Sequence, residues 1–159
     1  MATIELMDDI DWSIVEILQS DGRISIRELA RQISLSAPAT AERVKRLEQA
    51  GVIVGYAAVV SPQAVGLGIR AIIRMGCENT IRCVRRELDP ASFPEVVEMH
   101  RVSGDDCSVI IAYARDVEHL ENLIDRLARW SRASTTLILS TPVPKTVLRR
   151  EILTPPTAH

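Results

Sequence analysis

The stretch from Asp21 to Tyr56, DGRISIRELARQISLSAPATAERVKRLEQAGVIVGY, contains two short amphipathic segments separated by a brief turn. In the first segment Ser25 is a good helix N-cap, and Glu28, three residues later, completes the pattern of a capping box. The apolar residues that follow recur at helical spacing. The sequence therefore predicts a short helix from Ile26 to Ile33.

A second helix is predicted after a turn at Ser34 and Leu35. Ser36 is again a capping residue, and Pro38 falls in the first turn, where its missing N–H costs nothing. Gly51 is a typical residue to follow a helix end. We expect an inward stripe of Ala41, Val44 and Leu47, and an opposite face made of Ala39, Glu42, Arg43 and Arg46.

The two helices and the extended segment Val52–Val60, in which Gly55 permits a bend, have the plan of a winged helix-turn-helix that reads DNA. The second helix is small at its start and basic further along, as a helix that enters the major groove needs to be. The whole chain has a net charge of −2, yet residues 22–50 carry six basic and three acidic side chains, whereas the preceding segment is acidic. The other reading is a helical hairpin with solvated arginines. The expected DNA contacts are Arg27, Arg31, Ser36, Ala39, Thr40, Glu42, Arg43, Lys45 and Arg46.

Composition narrows the class of protein. The 159 residues are 47% hydrophobic and 25% charged, which is typical of a globular protein, and no apolar run is long enough to cross a membrane. The three cysteines show no CxxC spacing, so free thiols in a reducing cytoplasm are expected. We find no nucleophile–base pair, metal cluster or phosphate loop, and we expect neither an enzyme nor a bound cofactor.

The second half of the chain predicts the order βαββαβ, which is the ferredoxin-like arrangement with both helices on one face of an antiparallel sheet. The fold class is therefore α+β, with a DNA-binding domain at residues 1–60, a linker at 61–66 and a second domain at 67–159. Apolar side chains are expected on both faces of the sheet: Ile69, Ala71, Ile73, Val109 and Ile111 on one face, and Ile72, Ile110 and Ala112 on the other. Two stacked sheets would bury the second face, so we expect an obligate homodimer.

The predicted strands are Leu67–Cys77, Val96–Val102, Cys107–Ala114 and Thr135–Ser140. The predicted helices are Thr80–Leu88 and Asp116–Trp130, and the first of them carries the basic run Arg82, Arg85 and Arg86.

Four motifs resemble the Lrp/AsnC family of bacterial and archaeal regulators, and the resemblance covers nearly the whole chain. They are DDIDWSIVEILQSDGRIS, LSAPATAERVKRLEQAGVIVGY, SGDDC and LSTPVP. The resemblance implies an N-terminal DNA-binding domain and a C-terminal domain of the type that regulates amino-acid metabolism. It also implies dimers that often assemble into octamers, and small effectors, usually amino acids, bound between dimers.

The family's effector site involves the loop between the second and third strands of the C-terminal domain. Here that loop is SGDDC, where Cys107 stands in a position at which many members carry an aspartate. Asp105 or Asp106 would accept from an ammonium group, and amides around Gly104 would donate to a carboxylate. From spacing alone a plain hairpin turn is the favoured reading, and the family resemblance is what favours a ligand loop. The candidate effector residues of the loop and its ends are Val102, Ser103, Gly104, Asp105, Asp106 and Cys107. His100 on the preceding strand and Ser134, Thr135 and Thr136 before the last strand are further candidates, although packing, solvation or ordinary strand and capping roles are the favoured reading for these four.

The sequence thus predicts a cytoplasmic, nucleoid-associated transcriptional regulator that binds double-stranded DNA, itself and a small effector. Each dimer would present two recognition helices to adjacent major grooves, and the effector would change how dimers pack. The alternative is a ligand-independent architectural protein that wraps DNA. An enzyme of the ferredoxin-like class would leave the N-terminal domain unexplained.

Overall fold

The computed structural model describes residues 7–76, 89 and 91–153 of the chain. Contacts between residues divide these into two compact units. The first contains residues 7–58 together with residues 143–153, and the second contains the described residues between 59 and 142. The expected domain at 67–159 differs from this division, because the last described residues group with the first unit.

Three helices form the first unit. They are α1 (Asp9–Ser20), α2 (Ile26–Gln32) and α3 (Ala37–Gln49). Asp8 caps α1 in a capping box: its side chain accepts from the Asp11 N–H, and the Asp11 side chain accepts in turn from the Asp8 N–H. The core of this unit contains the fully buried side chains of Ile14 and Leu29 and the nearly buried Val44 and Leu47.

The turn between α2 and α3 contains an unusual backbone conformation. Ser34 has φ = 56°, the left-handed region that residues with a Cβ rarely adopt. Leu35 follows, and its N–H donates to the carbonyl of Ala30, which holds the turn against α2. The expected capping box of α2 forms only in part, because the Ser25 side chain accepts from the Glu28 N–H while the Glu28 carboxylate accepts from Arg31 and Gln32.

Gly51 ends α3 with φ = 69°, as expected. The segment after it differs from the expected strand, because residues 52–60 pair with no strand in the part of the chain that the structure describes. Tyr56 is held by its hydroxyl, which donates to Glu48, while Val54 and Val59 are almost fully exposed. A strand needs a neighbour to complete its hydrogen bonds, and the described chain offers this segment none.

The C-terminal segment from Val143 packs on α1. The side-chain amide of Gln19 donates to the carbonyl of Leu148 at 2.9 Å and accepts from the Leu148 N–H at 2.8 Å. Arg150, at the start of a 3₁₀ turn from Arg150 to Leu153, pairs with Asp9 at the beginning of α1. These contacts explain why the segment groups with the first unit.

The second unit is built on a four-stranded antiparallel sheet. Its strands are β1 (Ile69–Gly76), β2 (Val96–Arg101), β3 (Asp106–Ala114) and β4 (Ala133–Leu137), in the spatial order β2-β3-β1-β4. This is the strand order of a ferredoxin-like sheet, and the described bounds agree with the predicted strands to within three residues. The predicted helix Thr80–Leu88, with its basic run, and Cys77 and Cys83 lie outside the described residues.

In the described part of the chain, helix α4 (Val117–Ala128) packs on one face of this sheet. Asp116 caps it by accepting from the His119 N–H. Its inward residues are Leu120, Leu123 and Leu127, whereas Val117 in its first turn is 58% exposed.

The register of the sheet corrects the assignment of side chains to its two faces. Ala71 pairs with Ala112 and Ile73 with Ile110, and all four side chains are buried in the core. Ile111 therefore does not share a face with Ile73; it pairs with Ile72 on the opposite face. The error arose because a run that is apolar at every position gives no parity signal.

Candidate functional site

The buried face of α3 differs from the expected one by a single residue. Thr40 is fully buried, and its hydroxyl donates to the Ser36 carbonyl at 3.0 Å, whereas Ala41 is exposed. The structure therefore does not present Thr40, one of the expected DNA contacts, to the DNA, because its hydroxyl is both occupied and enclosed. The sequence could not separate Thr40 from Ala41, since a small apolar residue and a threonine suit a helix interior equally.

Arg43 and Arg46 extend towards the N-terminus of α1. An Nη atom of Arg43 lies 2.7 Å from a carboxylate oxygen of Asp8 and 2.9 Å from one of Asp11. Arg46 lies 2.6 Å from Asp11, whose side chain is only 1% exposed. The pKa of Asp8 is lowered, first by the Asp11 N–H and then by the Arg43 guanidinium. Both arginines were predicted to contact DNA, and the structure shows that they already hold α3 against α1.

The basic residues of α2 have different surroundings. Arg31 forms a two-pronged ion pair with Glu28, at 2.9 and 2.6 Å, and hydrogen bonds chiefly from Arg31 lower the pKa of Glu28 to about 2. Arg27 is exposed, and no ion pair holds it among the described residues. Both arginines line an open groove together with Ser25, Leu35 and Ala37. This groove joins the outer side of α2 to the first turn of α3.

The outward face of α3 is the other part of this surface. Ser36 caps the helix, and its exposed side chain accepts from the Ala39 N–H. Lys45 is exposed and has no ionic partner in the described chain. Side chains about half a turn away from the buried stripe point outward. They are Pro38, Glu42, Lys45 and Gln49, with Ala39 and Arg46 on one flank.

The hairpin between β2 and β3 is the predicted effector loop. Its residues Val102, Ser103, Gly104 and Asp105 are exposed, and Gly104 has φ = 118°, a conformation that favours glycine. The N–H of Val102 donates to the Cys107 carbonyl and closes the loop.

Arg74 is the charged residue at this site that sequence reasoning missed. Its Nε lies 3.9 Å from a carboxylate oxygen of Asp106, and both side chains remain partly exposed. Arg74 also pairs across the sheet with Val109 and with Ser134, and Val109 pairs in turn with His100. The structure thus brings His100, Ser134 and Asp106 to the neighbourhood of Arg74. Arg74 is one of two arginines in a mostly apolar strand, and this was the available signal.

Thr135 and Thr136, two other predicted effector residues, are less close to Arg74. Thr136 pairs with Ile72, one row further from the loop, and the imidazole of His100 lies 3.0 Å from Glu98. Thr135 pairs with the buried Ile73, and its own hydroxyl is buried without a hydrogen-bond partner in the described chain. Because alternate residues of a strand face opposite sides, Thr135 lies on the face of Ile73 and not on the face that carries Arg74.

The thiol of Cys107 donates to the Met75 carbonyl at 3.1 Å, which agrees with a packed cysteine. In the described chain no group of three metal-binding side chains occurs, and no helix there has the length and apolar character needed to span a bilayer.

Two family models match the two units. A model for winged helix-turn-helix DNA-binding domains matches residues 7–54, and the model of the Lrp/AsnC ligand binding domain matches residues 71–148. The HTH-type transcriptional regulator FL11 of Pyrococcus furiosus is 36% identical over 121 residues, 76% of this chain and 79% of that protein. The chain belongs to the Lrp/AsnC family. It is a helix-turn-helix transcriptional regulator with a ligand-binding domain, as the resemblance implied.

Other Lrp/AsnC proteins agree with this assignment. The HTH-type regulator LrpC of Bacillus subtilis is 31% identical over 84% of this chain and 92% of its own length. A regulator from Neisseria meningitidis, solved as a complex with L-methionine, has a TM-score of 0.79 at 27% identity and covers 92% of this chain and 99% of its own. The feast or famine regulatory protein of Mycobacterium tuberculosis, also complexed with L-methionine, has a TM-score of 0.75 at 33% identity and covers 86% and 95%.

Proposed function

We propose that this Lrp/AsnC regulator is a homo-oligomer whose binding to double-stranded DNA is controlled by a free amino acid at the β2–β3 hairpin. The observation that carries this proposal is the position of Arg74 beside Asp106, at 3.9 Å and at the base of an exposed loop. An amino acid is a zwitterion, so a site for it needs a cation for the carboxylate and an acceptor for the ammonium group. The L-methionine complexes of two relatives support this ligand class.

The oligomer would use the face of the sheet that α4 does not cover. Ile72, Val109 and Ile111 form an apolar strip there, and each of them remains partly exposed in the single chain. A face of this kind is stable in water when a second copy covers it. Dimers formed in this way would assemble into tetramers or octamers, with effector residues at the contacts between dimers.

DNA contact is assigned to the outer side of α2 and the outward face of α3. Arg27 and Lys45 carry positive charges that no described residue neutralises, and Arg31 and Ser36 lie on the same surface. These four residues would position the protein on phosphates, while Ala39 permits a close approach to the groove. Such a protein acts where the DNA is, in the cytoplasm and associated with the nucleoid.

A thermal-shift panel of the twenty amino acids, followed by DNA binding with each hit, tests the effector part. A ligand present at about 100 times its Kd stabilises the folded protein by about 2.7 kcal/mol, which is a shift of several degrees. We expect at least one amino acid to raise Tm and to change the affinity for promoter DNA. Both effects should be lost in Arg74→Gln and kept in Arg129→Gln, an exposed arginine on α4's C-terminal end. A hit that Arg74→Gln still binds, or no hit, would contradict the assignment and favour the architectural alternative.

Salt dependence of DNA binding tests the DNA part. Each phosphate contact contributes about 0.9 to the slope of log K against log salt concentration. Lys45→Gln and Arg27→Gln should each weaken DNA binding and reduce the magnitude of that slope by about 0.9, the contribution of one phosphate contact. Glu118 lies on α4, so Glu118→Gln serves as a control that should leave the slope unchanged.

A further inference from the structure

Glu42 has an unusual position on the surface proposed to read DNA. It is exposed on α3 and lies about half a turn from the buried residues Thr40, Val44 and Leu47, at the centre of the outward face. A carboxylate at this position would approach DNA together with α3. Because the phosphates repel it, its presence weakens binding unless the groove supplies a hydrogen-bond donor.

No basic residue of the described chain neutralises this carboxylate. The standard helical partners of Glu42 are Lys45 and Arg46, at i+3 and i+4. Arg46 lies 2.6 Å from Asp11 instead, and Glu42 forms no ion pair among the described residues. Helix α2 differs in this respect, because there Arg31 donates two hydrogen bonds to Glu28, its i, i+3 partner.

The donors that the major groove offers to a carboxylate are few. Cytosine presents its N4 amino group, and adenine presents its N6 amino group beside the N7 acceptor, which repels a carboxylate. Guanine and thymine present only acceptors there, apart from the thymine methyl. A carboxylate in the groove therefore discriminates by penalty as well as by attraction: guanine and thymine leave it without a donor, and adenine places a repelling acceptor beside its donor.

From this we infer that Glu42 is a specificity-determining residue of the DNA-reading surface, and that it accepts a hydrogen bond from the amino group of a cytosine. The inference rests on the proposed DNA contact through α3. In this inference, Glu42 is the side chain that sets the base preference, and cytosine is the base that it selects. The capture of Arg46 by Asp11 leaves the carboxylate available for this contact.

The test is selection of bound duplexes from a random pool by the full chain, with sequencing of the recovered DNA. Wild-type protein should enrich a motif in which one position per half-site is cytosine. Glu42→Ala should lose the preference at that position alone, by about 5- to 150-fold, and should bind non-specific DNA more tightly. Glu42→Gln should move the preference there towards adenine, because an amide suits adenine N6 and N7.

A matched control removes one negative charge elsewhere on the same unit. Glu16 on α1 has no ion pair in the described chain, so Glu16→Gln should keep the wild-type motif. If both Glu42 variants select the wild-type motif with only a higher affinity, Glu42 acts through charge alone and the inference is wrong, while the proposed function stands. If wild-type protein binds the pool but enriches no motif, the inference is wrong and the architectural alternative is favoured; if it binds no DNA, the proposed DNA contact fails as well.

Discussion

Asp11 is the side chain that fixes α3 against α1. Its carboxylate is 1% exposed, accepts from Arg43 and Arg46, and takes part in the capping box of α1. A buried carboxylate is stable only when its hydrogen bonds are satisfied, and here two guanidinium groups and the Asp8 N–H satisfy them. The orientation of the proposed recognition helix thus depends on a buried residue of the neighbouring helix α1.

Replacing Asp11 should destabilise the first unit. Asp11→Asn keeps the shape but leaves Arg46 without its carboxylate, and we expect a loss of about 2–3 kcal/mol in the free energy of unfolding. Urea unfolding followed by circular dichroism measures this loss. Asp125→Asn, at an exposed position on α4, should change stability by less than about 0.5 kcal/mol. Equal effects of the two variants would show that the buried pairs contribute little.

Glu28 gives the first unit a pH dependence at acid pH. Its pKa falls from 4.5 to about 2 in the folded protein because of the hydrogen bonds from Arg31 and Gln32. A lowered pKa contributes stability that is present above pH 4.5 and is lost as the pH falls towards 2. In Glu28→Gln, therefore, the urea midpoint should change less between pH 5 and pH 2.5 than in wild type. Because the pair is exposed, 1 M salt should reduce this difference, and a difference unaffected by salt would contradict its assignment to Glu28.

At the scale of helices and strands, the apolar pattern was sufficient to predict the order of the elements and most of their bounds. The N-caps Ser25 and Ser36 and the glycine after α3 were identified from local chemistry alone, because capping depends on one or two residues. The faces of β3 were assigned wrongly, and Thr40 was placed outside the helix core. In both cases the choice depends on a neighbouring element that the local pattern does not encode.

The functional surfaces were predictable to a similar extent. The sequence indicated which helices and which loop to consider, and the resemblance supplied their roles. The sequence did not indicate that Asp8 and Asp11 bind Arg43 and Arg46, since those partners are about 35 residues apart in the chain. Arg74 was missed for the same reason, because its distance from Asp106 is set by sheet register.

Leu123 tests the packing of α4 on the sheet. It is fully buried in the core of the second unit. Leu123→Ala should lower the free energy of unfolding by about 2–5 kcal/mol, because the removed atoms leave a cavity. Val117→Ala, on the exposed side of the same helix, should cost less than about 0.5 kcal/mol. Thermal melts of both variants provide the comparison, and a similar loss in each would mean that α4 packs differently.

At the scale of the whole molecule, the sheet face that carries Ile72, Val109 and Ile111 accounts for self-association in the proposal. Ile111→Asp places a charge at the centre of that face and should convert the oligomer to a monomer in light scattering after gel filtration. Val117→Asp adds the same charge on the far side of α4 and should leave the mass unchanged. Circular dichroism confirms that each variant is folded. A folded Ile111→Asp protein of wild-type mass would exclude this face as the interface.

Residues 143–153 follow the second unit in the chain but pack on α1 of the first unit. By residue contacts, the second unit (residues 59–142) lies between two stretches of the first unit, which receives its last segment only after β4 has been made. A fragment cut near residue 60 lacks Leu148 and Arg150, and so leaves Gln19 and Asp9 without the partners they have in the full chain. During synthesis the DNA-binding unit is therefore completed last, although its helices are translated first.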